Sequence, residues 1–224
     1  MDRREWLDAQ RVSAEERYDL ESPRYDDEVS EITPTHRQFV EKVIESCPPG
    51  GRILDAPCGT GRYFELVLAA GRTVVGVDQS AGMLAQARAK RSDVRLDKVG
   101  LQELDFDGDF DGAVCIDAME YICPEDWPRV LARLHRAVRG SGLIYLTVEQ
   151  VDAAEIASVF AEARAAGLPI VHGENTRRGG YHYYPTPDCV YRWLAAEGLE
   201  IVDEGISRAR TYGYWHIVTR GQAE

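Results

Sequence analysis

Five short apolar runs alternate with segments of helical spacing: Ile53-Leu54, residues 73–77, 94–99, 110–116 and 143–148. The connections between them are too short for anything but crossovers. Parallel strands joined in this way form one sheet with helices on both faces. Ligands in such sheets bind outside the C-terminal ends of the strands, where the strand order reverses. Asp55, Asp78, Asp117 and Glu149 each follow an apolar run, so they are expected to gather on one rim.

The flanks differ in character. Residues 1–35 are charged, yet they hold Trp6, Tyr18 and Tyr25. A solvated tail seldom carries so many aromatics, so this stretch is expected to be an arm or cap folded over residues 36–224. A helix over 35–46 carries Phe39, Val40, Val43 and Ile44, and Pro48-Pro49-Gly50-Gly51 stops it. Further helices are expected near 62–70, 80–90, 124–138, 153–166 and 188–197. Residues 198–202 and 212–219 read as two strands joined by a turn near Arg210, an antiparallel pair at the sheet edge. Residues 168–187 form a polar, aromatic insertion. Within it, His172, Arg177, Arg178, Gly179, Gly180 and Tyr181 to Tyr184 have the composition of a lid over a substrate.

The chemistry centres on RILDAPCGTGR, residues 52–62. It reads as a buried strand ending in Asp55, then a turn with Cys58, Gly59, Thr60 and Gly61, then a helix start. Glycine lets a ligand approach the backbone and allows positive φ. A dinucleotide turn carries Gly-x-Gly-x-x-Gly and seats a pyrophosphate. The frame here is Asp-x-x-x-Gly-x-Gly, and its acid would repel phosphate but suits a cation. The stretch resembles motif I of the class I S-adenosylmethionine-dependent methyltransferases, whose ligand has a sulfonium and an ammonium. Pro57 stands where that family often has glycine.

The resemblance covers residues 36–149 well and 198–220 in outline. It implies a Rossmann-like α/β fold: a seven-stranded, mostly parallel sheet with helices on both faces and an antiparallel C-terminal edge pair. It implies S-adenosylmethionine as cofactor, with Asp55, Cys58, Gly59 and Gly61 at its amino-acid part and Asp78 on the ribose hydroxyls. Gln79 and Met83 would border the adenine. Many relatives place an acid after the third strand to meet the adenine amino group. Gly100 takes that place here, which leaves the ring edge to Leu101 and Gln102, with Asp97 as the alternative. Tyr25-Asp26 resembles a Tyr-Asp pair that lies near the cofactor in small-molecule relatives. Asp117 and Met119 would line the cofactor channel.

The segment after the fourth run, Asp117-Ala-Met-Glu-Tyr121, lacks the Asn/Asp-Pro-Pro-Tyr/Phe of relatives that methylate amines within macromolecules. A small-molecule acceptor follows, modified on O or N. A hydroxyl acceptor needs a base, and His182, His172, Glu149 and Tyr121 are the candidates. Aminopropyl or aminocarboxypropyl transfer, cyclisation, or cofactor binding without turnover are the alternatives. The net charge of −12 argues against nucleic-acid and anionic-membrane partners. Five cysteines without Cys-x-x-Cys and histidines without ligand spacing suggest neither disulfides nor a metal. The charged start and reduced thiols fit a cytoplasmic protein.

Overall fold

Side chains along a strand alternate between faces, so a strand covered on both sides must be apolar throughout. β1 (Arg52–Asp55) illustrates this: Ile53 and Leu54 are both fully buried but belong to different cores. In the computed structural model, which describes residues 2–29, 31–176, 180–208 and 212–222, β2 (Thr73–Asp78), β3 (Arg95–Lys98), β4 (Phe110–Cys115) and β5 (Val138–Gln150) run parallel to β1. β8 (Leu199–Arg208) and β9 (Gly213–Gly221) complete the sheet, in the order β3-β2-β1-β4-β5-β9-β8. β9 is antiparallel to both of its neighbours. Arg177, Arg178, Gly179 and Arg210 lie outside the described residues.

One core packs α6 (Trp127–Ala137) and α8 (Pro187–Ala196) on Leu54, Val75, Cys115 and Leu146. The other packs α3 (Pro34–Ser46), α4 (Phe64–Ala69) and α5 (Ala81–Lys90) on Ile53, Val74, Val114 and Tyr145. α3 starts where Thr33 caps it and Pro34 occupies its first turn. β5 begins directly after α6, earlier than its apolar run suggests. Its register on β4 shifts between Phe110 and Gly112, which accommodates Gly140 and Gly142.

The arm is α1 (Arg3–Glu21), a short 3-10 turn and α2 (Tyr25–Val29). Asp2 and Glu5 form a reciprocal capping box at the start of α1. Trp6 anchors the helix edge-on to Tyr181, with ring centres 5.7 Å apart. Within the insertion, β6 (Glu174–Asn175) and β7 (His182–Tyr183) pair as a small hairpin, which follows α7 (Ala153–Ala165). This hairpin is buried rather than loosely draped. Tyr181 donates to Glu174 at 2.7 Å, and Glu174 accepts Arg3 Nη2 at 2.7 Å, which joins the hairpin to α1.

Candidate functional site

The turn after β1 is tied to the neighbouring strand. The Cys58 N–H donates to the Val77 carbonyl at 2.8 Å. Gly59 has φ +52°, and a Cβ there would meet nothing within 4 Å, so its face is open to a ligand. Gly61 has φ +80°, and a Cβ would stand 2.6 Å from the Phe64 ring, so this glycine serves the close packing of α4. Asp78, at the end of β2, accepts the Gly59 N–H at 2.9 Å and the Ser80 N–H at 2.8 Å. Burial pushes its carboxyl up to about 6, against the pull of those two bonds.

Asp55 sits beneath the turn, 2% exposed, and neither carboxylate oxygen has a hydrogen-bond donor. Burial drives it well above the usual carboxylate range, with the Arg62 charge opposing and Asp78 reinforcing the rise. A buried carboxyl without donors is costly unless a cation or donor arrives. Thr60 in the turn donates to Asp26 at 2.6 Å, so the Tyr25-Asp26 pair docks on the glycine turn.

Above the turn is a cleft of about 1310 Å³, counted out to its open mouth. Tyr25, Cys58, Gly59, Asp78, Gln79, Met83, Leu101, Gln102 and Asp117 line it, as expected of them. Tyr121 lines it too. Its roof was not foreseen: Leu7, Arg11, Ala14 and Tyr18 of α1 reach into the cleft. Their spacing of four, three and four residues puts them on one helical face. Arg11 also pairs with Glu103. A side chain at Gly100 would strike that pair, so the space is already filled. Asp97 instead pairs with Arg95, outside the cleft lining, while Asp126 reaches the cleft and accepts Gln102 Nε2 at 3.3 Å.

Beyond β4 the backbone is strained. Asp117 has φ +53°, a conformation that costs a non-glycine residue about 1–3 kcal/mol. Its N–H donates to Thr147 Oγ1 at 2.8 Å, and Arg62 Nη1 donates to its Oδ2 at 3.3 Å. Arg62 lines the cleft and is a further residue the sequence pattern missed. Glu120 is 3% exposed, its Oε2 has no partner, and burial raises its carboxyl strongly, helped by Asp117 and Glu149.

Several expected site residues stand apart from the cleft walls. Met119 is fully buried in the core, where the turn after β4 points it inward. Asp55 and Gly61 lie under the cleft rather than on its surface. Glu149 stands at the end of β5, paired in register with Tyr214, and is not in the lining. His172 is exposed, packs on Phe160 and does not reach the cleft. His182 is buried on β7, and its ring lies 4.9 Å from that of Tyr121.

A parallel sheet with this strand order, an antiparallel β9 inserted before β8, and an acid-glycine turn after β1 define a Rossmann-like methyltransferase fold. Residues 53–142 match the family model described as a methyltransferase domain. A ubiquinone biosynthesis O-methyltransferase of Rhizobium etli is 33% identical over 165 residues, which cover 69% of this chain and 62% of that protein. The chain thus spans under two thirds of the length of that relative. The corresponding protein of Rhizobium johnstonii is 30% identical over 180 residues, covering 75% of this chain and 68% of its own. A solved Burkholderia thailandensis 1,6-didemethyltoxoflavin N1-methyltransferase, with its acceptor and S-adenosylhomocysteine bound, superposes with a TM-score of 0.72 at 18% identity. That match covers 100% of this chain and 92% of the other. The chain belongs to the class I S-adenosylmethionine-dependent methyltransferases, and S-adenosylmethionine is the cofactor of that family.

Proposed function

We propose that this chain transfers a methyl group from S-adenosylmethionine to an oxygen or nitrogen of a small-molecule acceptor. The observation that carries the reading is Asp55: a buried, donorless carboxyl under an open glycine turn, one strand away from Asp78. Such a pair suits a ligand with an ammonium at one end and a diol further along. The relatives support the acceptor class, since one is named for O-methylation in ubiquinone biosynthesis and another for N-methylation of a small heterocycle.

S-adenosylmethionine supplies a methyl already activated on a sulfonium, so the protein has mainly to position and shelter the reactants. Asp55 would hold the ammonium, and Gly59 and Cys58 would let the amino-acid part lie against the backbone. Asp78 would accept the ribose hydroxyls. Gln79, Met83, Leu101 and Gln102 would border the adenine, with the inner face of α1 closing over it. Tyr25 and Asp117 flank the passage toward the acceptor, Met119 supports it from the core, and Gly61 keeps the turn tight. Tyr121 and the buried hairpin exclude water from the acceptor side.

His182 is placed best to take a proton from a hydroxyl acceptor, through or beside Tyr121. Glu149 is the next candidate, and exposed His172 the last. Incubation with methyl-labelled S-adenosylmethionine and candidate acceptors tests the reading by its product. S-adenosylhomocysteine marks methyl transfer, whereas methylthioadenosine marks aminopropyl or aminocarboxypropyl transfer and overturns it. With a hydroxyl acceptor, His182→Ala should lower turnover by about 10²–10⁴-fold and leave cofactor affinity nearly intact. An active variant with an unshifted pH profile would remove His182 from the role.

A further inference from the structure

The acids on the rim divide into two groups. Asp55 and Asp78, on β1 and β2, are spoken for by the cofactor in the reading above. Asp117, Glu120 and Glu149, at the ends of β4 and β5, are not. We propose that these three carboxylates anchor the acceptor through a positively charged nitrogen, gripped by Glu120 among the rings of Tyr25, Tyr121 and Tyr214.

Glu120 is the informative member. It is almost fully buried, it accepts its own backbone N–H, and its Oε2 has no partner at all. Asp117 and Glu149 stand close enough to disfavour its charge. Asp117 leaves its own Oδ1 without a hydrogen bond, 3.8 Å from His36 Nε2. The nearby cations do not reach Glu120. Arg62 pairs with Asp117, and Arg17 lies over the Tyr18 and Tyr121 rings at 4.7 and 5.6 Å. Burial and the same carboxylates raise the Tyr214 hydroxyl, which places that ring among them. Tyr25 is raised by burial too, with Asp117 and Glu120 adding to the effect.

Carboxylates outnumber guanidinium partners here, and aromatic faces surround them. That chemistry attracts a cation, by charge-assisted hydrogen bonds and by the ring quadrupoles. An anionic acceptor would meet repulsion, and a neutral one would leave the Glu120 oxygen without a partner. The anchoring nitrogen is not the methylated atom, because an ammonium held by carboxylates has no lone pair for the displacement. The acceptor therefore carries a basic amine and, elsewhere, the oxygen or nitrogen that receives the methyl.

The inference rests on the methyltransferase reading, so the test begins with a titration of S-adenosylhomocysteine. Failure there overturns the cofactor reading and is recorded separately from the acceptor result. Protein saturated with S-adenosylhomocysteine is then titrated with tyramine, 4-ethylphenol and 3-(4-hydroxyphenyl)propionate, and with tryptamine, 3-ethylindole and 3-indolepropionate. In at least one series the amine should bind about tenfold to a hundredfold more tightly than its neutral analogue, and the acid most weakly. Glu120→Gln should erase that preference while S-adenosylhomocysteine binds as before, and Glu149→Gln should reduce it. Equal or tighter binding of the acids or neutral analogues, binding of none of the six, or an amine preference that survives Glu120→Gln overturns the proposal.

Discussion

Asp55 is a residue whose placement is unfavourable for the fold alone. Its carboxyl is buried without a donor, and burial holds it in the protonated form when no cation is present. Sites of this kind keep a group that stability alone would replace. Asp55→Asn is therefore expected to leave the thermal midpoint of the ligand-free protein unchanged or higher. The same change should weaken S-adenosylmethionine by about 1.5–3 kcal/mol, the worth of a charge-assisted hydrogen bond. A lower midpoint with unchanged affinity would make Asp55 a structural residue. Asp55, Gly59 and Asp78 were legible from sequence because acid and glycine at these offsets have few other uses. Arg62 and Glu120 were not, because a lone arginine after a turn and a glutamate before a tyrosine look the same when solvated. Met119 reads as a channel residue by position, but the short 3-10 turn after β4 sends it into the core.

At the scale of elements, α1 does what neither its charge nor its weak apolar pattern announced. It lies over the cleft with Leu7, Arg11, Ala14 and Tyr18 facing inward. It is held there mainly by polar ties at its edges: Lys98 to Glu15 at 2.6 Å, Ser80 to Asp19 at 2.6 Å, and Arg3 to Glu174. Exposed pairs of this kind contribute little each, about 0.2–1 kcal/mol, so the helix is the element most easily opened. In hydrogen exchange, the amides of α1 should gain protection when S-adenosylhomocysteine binds, while those of α6, packed in the core, should not change. Equal protection of α1 with and without ligand would show that it is a fixed wall. The five parallel strands and the final antiparallel pair were readable because buried strands need long apolar runs and connections constrain topology. The arm and the hairpin were less so, since their partners are distant in the chain: Trp6 meets Tyr181, and Tyr183 meets Trp193.

Over the whole molecule, the net charge of −12 is concentrated usefully at one place, the C-terminal rim of the sheet, where a cationic cofactor is expected. No helix among the described residues is long and apolar enough to cross a membrane. The rim also sets a pH dependence with a definite sign. In the free protein burial raises Asp78 to about 6, so it takes up a proton as the pH falls through that value. Ribose hydroxyls and a sulfonium favour the ionised form. Binding should therefore release protons and weaken as the pH drops below about 6, by up to about tenfold per pH unit. Calorimetric titration of S-adenosylmethionine into the pure protein at pH 7.5 and pH 5, in buffers of different ionisation enthalpy, tests the central claim most directly. The expected result is one site per chain, weaker binding at pH 5, and proton release near pH 6 that Asp78→Asn abolishes. Folded protein that gives no binding at either pH would contradict the account.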